Sequence, residues 1–492
     1  MTGFASSHDV LQVPNEDSRS GTKLGKFRQF FAASVVTLGI FGLGTVLAYT
    51  SPALPKIEST GDLGNVTYSQ KAWVGSTSML GALSSSPFAG YGVDKFGRKN
   101  LMILLAFPFI AGWIFIPIST TFTLVYIGRF ITGFCAGGLS LAVPIFISEM
   151  AEDHIRGLLS SLFQLMMVLG ILFIYVVGTY VTWQNLAYIS AAFPTLFLIL
   201  LTSIPESPRY LLAKGRRSDA TKSLVWFRGV NDPDIVESEI SRVQASIDES
   251  KGEKVRLATI FSRSIIQPVL ICLSLMVFEQ ISGFNAIIFY TVDIFKASGS
   301  QLDSNLATII IGIVQVLATV VSCILVDLTG RRILLIFSEV VMAASLFILG
   351  AFFYIKTKNK EVSPEGFGWV PITSLIVFII AFAQGIGPLS WTIMGEILPP
   401  NLKGPCSSVA TFLVWFSAFL VTLGYEHLLE LLGRYWCFWL FAIFCVIGTV
   451  VVTLFVPETK GRSLEEIQSL FNHSDKKKPL PASKECLAGQ DE

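Results

Sequence analysis

Charge is scarce in this 492-residue sequence: only 14% of residues are Asp, Glu, Lys or Arg, against about 25% in soluble domains. Histidine occurs four times, and no His/Cys group stands at metal-ligand spacing, so no metal site is expected. The seven cysteines are odd in number, lie mostly inside apolar stretches and include no CxxC pair. They read as small packing residues and not as a disulfide framework. No phosphate-binding P-loop is present, and the pair Glu206 and Glu458 does not read as a glycosidase dyad. No cofactor and no enzyme chemistry follow from these residues. A net charge of +1 leaves no basic surface for nucleic acid. Residues 1–27 are polar, without a short apolar core and a small-residue cleavage site, so no cleaved signal peptide is expected. Thr2 breaks the N-myristoylation pattern.

What the chain has instead is apolar length. It is 52% hydrophobic with a mean hydropathy of +0.63. Runs of about 20 apolar residues span a bilayer as helices. Twelve occur, near 30–50, 71–91, 101–118, 122–147, 158–180, 185–205, 265–290, 304–326, 333–354, 368–394, 405–425 and 435–456. The sequence therefore predicts an all-α membrane protein of twelve transmembrane helices. A tail (1–29) precedes six spans (30–205), a polar connector (206–264), six more spans (265–456) and a second tail (457–492). Within the connector, Val236, Ile240, Val243 and Ile247 recur at helical spacing after the turn Asn231-Asp232-Pro233-Asp234, which predicts an amphipathic helix. It is either a solvated spacer or part of a layer docked under both bundles.

Lys and Arg set the orientation. The tails plus the loops at 93–100, 148–157, 206–264, 327–332 and 395–404 carry 28 of them, and the opposite loops carry 7. Both termini are expected in the cytoplasm. The sequon at Asn65 then falls outside and is a candidate glycosylation site, whereas the one at Asn472 falls inside.

The two halves share landmarks. Residues 93–99 read VDKFGRK and 326–332 read VDLTGRR; Glu149 and Arg156 are seven apart, as are Glu396 and Lys403; IPESPR at 204–209 closes the sixth run and VPETKGR at 456–462 the twelfth. Three paired landmarks in one order point to a duplicated six-helix bundle. With the run YIGRFITG around Arg129, the stretch QISGFNAIIFYT in the seventh span and GIGPLSW in the tenth, they resemble the sugar porter branch of the major facilitator superfamily over residues 28–470. Within that branch the chain is most similar to insect facilitated trehalose transporters and their hexose-carrying relatives.

The resemblance implies two pseudo-symmetric bundles with a substrate site between them near the bilayer midplane, and a monomer in the plasma membrane. It also implies ion pairs that tie the bundles together while the cytoplasmic side is shut. Their candidates are Asp94, Arg98, Glu149, Arg156, Glu206 and Arg209 in the first half, and Asp327, Arg331, Arg332, Glu396, Lys403 and Glu458 in the second.

Neutral amides inside the spans are the substrate candidates: Gln164, Gln280, Asn285, Gln315 and Gln384. Amides donate and accept at once, which suits sugar hydroxyls that have lost their water. Helix–helix bonding is the competing role. Gln280 and Asn285 are five residues apart, about 140° on a regular helix. Ser282-Gly283 between them is placed to break the helix, so that both face one cavity. The resemblance implies that Gln164, Gln280, Asn285 and Trp391 contact sugar, with Trp391 following the flexible run Gly385-Ile386-Gly387-Pro388.

Four positions depart from the family pattern. Glu279 stands for the usual Gln, Val414 and Ala418 for Asn, and Ser390 for Pro. Where proton-coupled members carry Gly-Tyr-Asp, this chain has Ala48-Tyr49-Thr50, so Arg129 is expected to be a structural hub. Facilitated diffusion is therefore the main expectation. Proton coupling through Glu279 and a non-transporting sugar sensor remain as alternatives.

Overall fold

The computed structural model describes residues 22–252, 263–299, 302–358, 367–398 and 400–460, with 466, 467 and 471. The sequon at Asn472 lies outside these, as do the side chains of Asp327 and Lys403. The described residues are helical with short connections. The first bundle comprises α1 (Lys23–Ala48), α2 (Thr50–Thr60), α3 (Tyr68–Phe96), α4 (Arg98–Phe115), α5 (Phe122–Met150), α6 (Asp153–Tyr180) and α7 (Trp183–Leu201). The connector holds α8 (Pro208–Ala213), α9 (Arg217–Arg228) and α10 (Asp234–Gly252). The second bundle comprises α11 (Arg263–Ile281), α12 (Phe284–Ser298), α13 (Ser304–Thr329), α14 (Arg331–Lys358), α15 (Val370–Gln384), α16 (Ile386–Ile397), α17 (Pro400–Leu432) and α18 (Arg434–Phe455). Three pairs, α1/α2, α11/α12 and α15/α16, are single spans bent or broken in the middle, which gives twelve spans in two sets of six.

Local chemistry fixes several starts. Thr67 and Gln70 form a capping box at α3, and the Asp303 carboxylate accepts the Asn305 and Leu306 N–H groups at 2.9 and 3.0 Å. Eleven spans are apolar enough to cross a membrane by composition alone. The twelfth, α3, is rich in Ser, Thr and Gly because those residues face protein: Ser78 packs on Gly133 and Ser85 on Gly137 of α5. Small residues let the two backbones approach, the usual way helices associate in lipid.

The connector is docked. Tyr210, Leu211, Leu224, Val236, Ile240 and Ile247 form their own buried cluster. Its polar edge grips the first bundle: Arg228 donates to the Met150 carbonyl at 3.0 Å and Gln29 to the Phe227 carbonyl at 3.1 Å, while Ser223 donates to the Glu206 carbonyl at 2.6 Å within the connector.

Between the bundles, α3 packs on α17 and α6 on α13. In the half remote from the termini, Ser51 Oγ accepts the Val292 N–H at 3.3 Å and Tyr175 donates to the Ile288 carbonyl at 2.9 Å. Trp73 meets Phe419 with ring centroids 6.3 Å apart. The bundles are joined at that end.

Candidate functional site

The seventh span breaks where its sequence allows. α11 ends at Ile281, and Gly283 takes φ +88°, a left-handed conformation that an L side chain rarely adopts. The Phe441 ring lies 2.6 Å from where a Cβ would sit, so no larger residue fits. The break turns Gln280 and Asn285 toward each other. Asn285 Nδ2 donates to Gln280 Oε1, and Gln280 Nε2 donates to Glu279 Oε1 at 3.3 Å. All three are buried. The second Glu279 oxygen has no hydrogen-bond partner at normal geometry, and the Trp391 indole approaches the same carboxyl. Amides and acid from both sides of the seventh-span break, and Trp391 from the half-helix after the tenth-span break, thus meet in one place.

Gln384 donates to the Ala318 carbonyl at 3.0 Å, one helical turn from Gln315. The side-chain oxygens of both Gln315 and Gln384 are buried without a partner. A buried unpaired acceptor costs roughly 1–3 kcal/mol, so two adjacent ones mark a place where a donor belongs. Gln164 on α6 is half-buried, and no described hydrogen bond joins it to this group. Val414 and Ala418 of α17 are buried, and Ser390 donates to the Ile386 carbonyl at 2.6 Å within α16.

Arg129 is fully buried in the first bundle. Its guanidinium donates to the carbonyls of Val46 (2.8 Å) and Val74 (3.2 Å), Thr50 Oγ1 (3.1 Å) and Ser78 Oγ (2.9 Å), and lies 5.7 Å from the Tyr49 ring centroid. Every one of these acceptors is neutral. The hub joins α1, α2, α3 and α5.

At the termini end the duplicated landmarks form duplicated geometry. Gly97 and Gly330 both have positive φ, +98° and +104°, and each turns the chain directly into the next helix. Glu206 accepts the N–H groups of Arg98 (3.2 Å) and Lys99 (3.1 Å) at the start of α4; Glu458 accepts those of Arg331 (3.0 Å) and Arg332 (3.2 Å) at the start of α14. These are carboxylates capping positive helix ends. Arg98 pairs with Glu149 at 2.8 Å and with Asp94 at 3.9 Å; Arg331 pairs with Glu396 at 3.4 Å. Arg332 donates to the Thr453 carbonyl, Ser207 donates to Glu149, and the Arg209 charge also bears on Glu149. Arg156 lies in the first turns of α6. The resemblance implies pairs between the bundles while that side is shut; in this structure, whose bundles are joined at the end remote from the termini, these described pairs close within one bundle.

Sequence reasoning missed three acids inside spans. Asp293 and Glu426 of the second bundle lie near the end remote from the termini, within electrostatic reach of Lys71 of the first bundle, which is itself paired with Glu58 of α2. Glu339 of α14 is fully buried, its carboxyl 3.0 Å from the position a Gly448 Cβ would take. A carboxylate inside an apolar run was the available signal.

Comparison with known proteins agrees with this architecture. The family described as "Sugar (and other) transporter" matches residues 32–471. The facilitated trehalose transporter Tret1 of Apis mellifera ligustica is 41% identical over 94% of this chain and 92% of its own. That of Polypedilum vanderplanki is 40% identical over 90% and 88%. Among solved structures, the partially occluded inward-open xylose transporter XylE from E. coli superposes with a TM-score of 0.76 at 23% identity. That match covers 89% of this chain and all of the other, so the two share a fold. A twelve-span, two-bundle chain with these duplicated capped turns, matched along nearly its whole length, belongs to the sugar (and other) transporter family, the sugar porters of the major facilitator superfamily.

Proposed function

We propose that this protein is a facilitative sugar transporter that carries trehalose, or a hexose such as glucose, down its gradient by alternating access. The observation that carries the reading is the broken seventh span, which brings Gln280 and Asn285 together beside Trp391. This group offers donors and acceptors without requiring a charged substrate, and its geometry suits a polyhydroxylated ring with one apolar face for the indole to stack on. Gln315 and Gln384, with their unpaired oxygens, are further candidates for the same substrate, and Gln164 is the first bundle's candidate.

Uniport is favoured over symport by the surroundings of Arg129. Thr50 is the hydroxyl partner at the position where the resemblance puts an acid in proton-coupled members, and a Thr hydroxyl does not titrate near neutral pH. Glu279 is then a hydrogen-bonding member of the sugar site. The two bundles, joined at the end remote from the termini, suit the inward-facing half of the cycle. Both termini are cytoplasmic, the membrane is the plasma membrane, and the working unit is a monomer. Asn65, exposed between α2 and α3, carries a glycan on the outer face. The capped turns with Asp94, Arg98, Glu149, Arg156, Glu206 and Arg209, and with Asp327, Arg331, Arg332, Glu396, Lys403 and Glu458, hold the cytoplasmic ends and bias the two states.

Uptake of labelled trehalose and glucose into proteoliposomes, with and without an imposed pH gradient, tests this. Saturable flux indifferent to the gradient is expected. Flux that the gradient drives would transfer the reading to symport through Glu279, and binding without flux would make the protein a sensor.

A further inference from the structure

The tenth span is broken between α15 and α16, and the break is closed by a side chain from a different helix. In an unbroken helix the Gly385 N–H would bond the Ala381 carbonyl and the Ile386 N–H the Phe382 carbonyl. Here the Gly385 N–H instead bonds the Phe382 carbonyl at 3.3 Å, which frees the Ala381 carbonyl and the Ile386 N–H together. One hydroxyl takes both. Ser338 Oγ of α14 donates to the Ala381 carbonyl at 2.7 Å and accepts the Ile386 N–H at 3.2 Å.

Ser338 is fully buried. The residue at 385 has to be Gly, because a Cβ there would collide with the Ser338 side chain and lie 2.7 Å from the Leu334 carbonyl. α14 therefore lies directly against the break, and the hydroxyl is part of the bend. In lipid no water reaches such backbone groups, so a broken helix persists only where neighbouring groups satisfy them. The break is also tied to the one in the seventh span: Phe284, the first residue of α12, stacks on Phe382 with centroids 3.7 Å apart and planes within 4°.

We infer that Ser338 is a positioning residue for transport: its hydroxyl holds the bend of the tenth span and so sets where the half-helix Ile386–Ile397 presents Trp391 to the site formed by Glu279, Gln280 and Asn285. The inference rests on the sugar-transport reading for what Trp391 does, but not for what Ser338 does to the helix. Removing the hydroxyl strands two backbone groups in the bent form, while a straightened helix pairs both again. Loss of the hydroxyl therefore shifts the span toward straightening or local opening.

The test is Ser338→Ala in full-length protein reconstituted in nanodiscs, read by amide hydrogen exchange of peptides covering 381–397. Exchange there is expected to rise about 3- to 15-fold, the range for one or two hydrogen bonds between membrane helices, while peptides from α5 keep the wild-type rate. Unchanged exchange over 381–397 overturns the inference, whatever the protein transports. If Ser338→Ala does not fold, Ser338→Cys, which keeps the volume and a weak sulfur donor, is measured instead, with a smaller rise in the same segment expected and no rise overturning it. In uptake assays, Ser338→Ala is expected to raise KM several-fold, and its effect is expected to be non-additive with Trp391→Phe but additive with Gln164→Ala. Full additivity with Trp391→Phe overturns the positioning role. Absence of sugar flux in the wild type refutes the transport reading and leaves the exchange result to decide on Ser338 alone.

Discussion

Gln280→Leu separates what the amide does for the protein from what it does for the substrate. Leucine nearly conserves the volume and deletes every polar atom of the side chain. On the protein side, Glu279 Oε1 loses its donor at 3.3 Å and Asn285 Nδ2 loses its acceptor. Leaving two buried polar groups unpaired costs about 1–3 kcal/mol each, and this cost falls on empty and loaded protein alike. It therefore lowers thermal stability and cancels to first order from kcat/KM. On the substrate side, one or two bonds to sugar hydroxyls disappear. At about 0.5–1.5 kcal/mol each, the loss is roughly 0.5–3 kcal/mol, or about 2- to 150-fold in kcat/KM. Initial-rate uptake into proteoliposomes and thermal unfolding of the same preparations measure the two sides. Lower stability with wild-type kcat/KM would refute the substrate role and leave the relay as scaffolding.

The remaining predictions concern the two ends of the bundles. Glu206→Ala and Glu458→Ala remove the carboxylate that caps the first backbone N–H groups of α4 and of α14, respectively. Matching losses of about 1–3 kcal/mol in thermal stability are expected, and a loss in one half only would contradict the duplicated geometry. Arg98→Ala and Glu396→Ala break the ion pairs at the termini end of the two bundles; under the proposed gating role turnover should fall while affinity for external sugar stays normal or tightens, and wild-type turnover would count against that role. Lys71→Met removes the cation among Glu58, Asp293 and Glu426. It should weaken the joined ends remote from the termini and raise labelling of a cysteine probe placed between them by a thiol reagent, and labelling at the wild-type rate would show that Lys71 does not hold them.

Much of this arrangement was legible in the sequence because it is written in local rules. A Gly after Ser282 within an apolar run predicts a helix break, and the break is there. The repeated Asp-x-x-Gly-Arg predicts two equivalent turns, and Gly97 and Gly330 make them. The polar connector with apolar residues at helical spacing predicts α10. What was not legible depends on contacts between distant residues. Glu206 caps a helix that begins 108 residues earlier in the chain, and nothing near either position announces it. The Arg98 and Arg331 pairs follow the same geometry, which turns them inward to their own bundles. Ser338 looks like any small residue in a span until the tenth helix is laid against it. The run 71–91 stands among the twelve, but what lowers the hydropathy of α3 below that of the other eleven spans, Ser and Gly residues packed on α5 and not on lipid, shows only in the structure. Acids such as Glu339 were visible as charges but not as a set, since no spacing joins them.

The central claim is that a neutral amide cluster at the broken seventh span moves a sugar without a coupling ion. Initial rates of labelled trehalose and glucose entry into proteoliposomes containing this protein alone, at matched and opposed pH, test it most directly. The account predicts saturable uptake of trehalose, glucose or both that equilibrates without accumulation, ignores the pH gradient and falls in Gln280→Leu. Accumulation driven by an inward proton gradient, or no flux of either sugar, would contradict it.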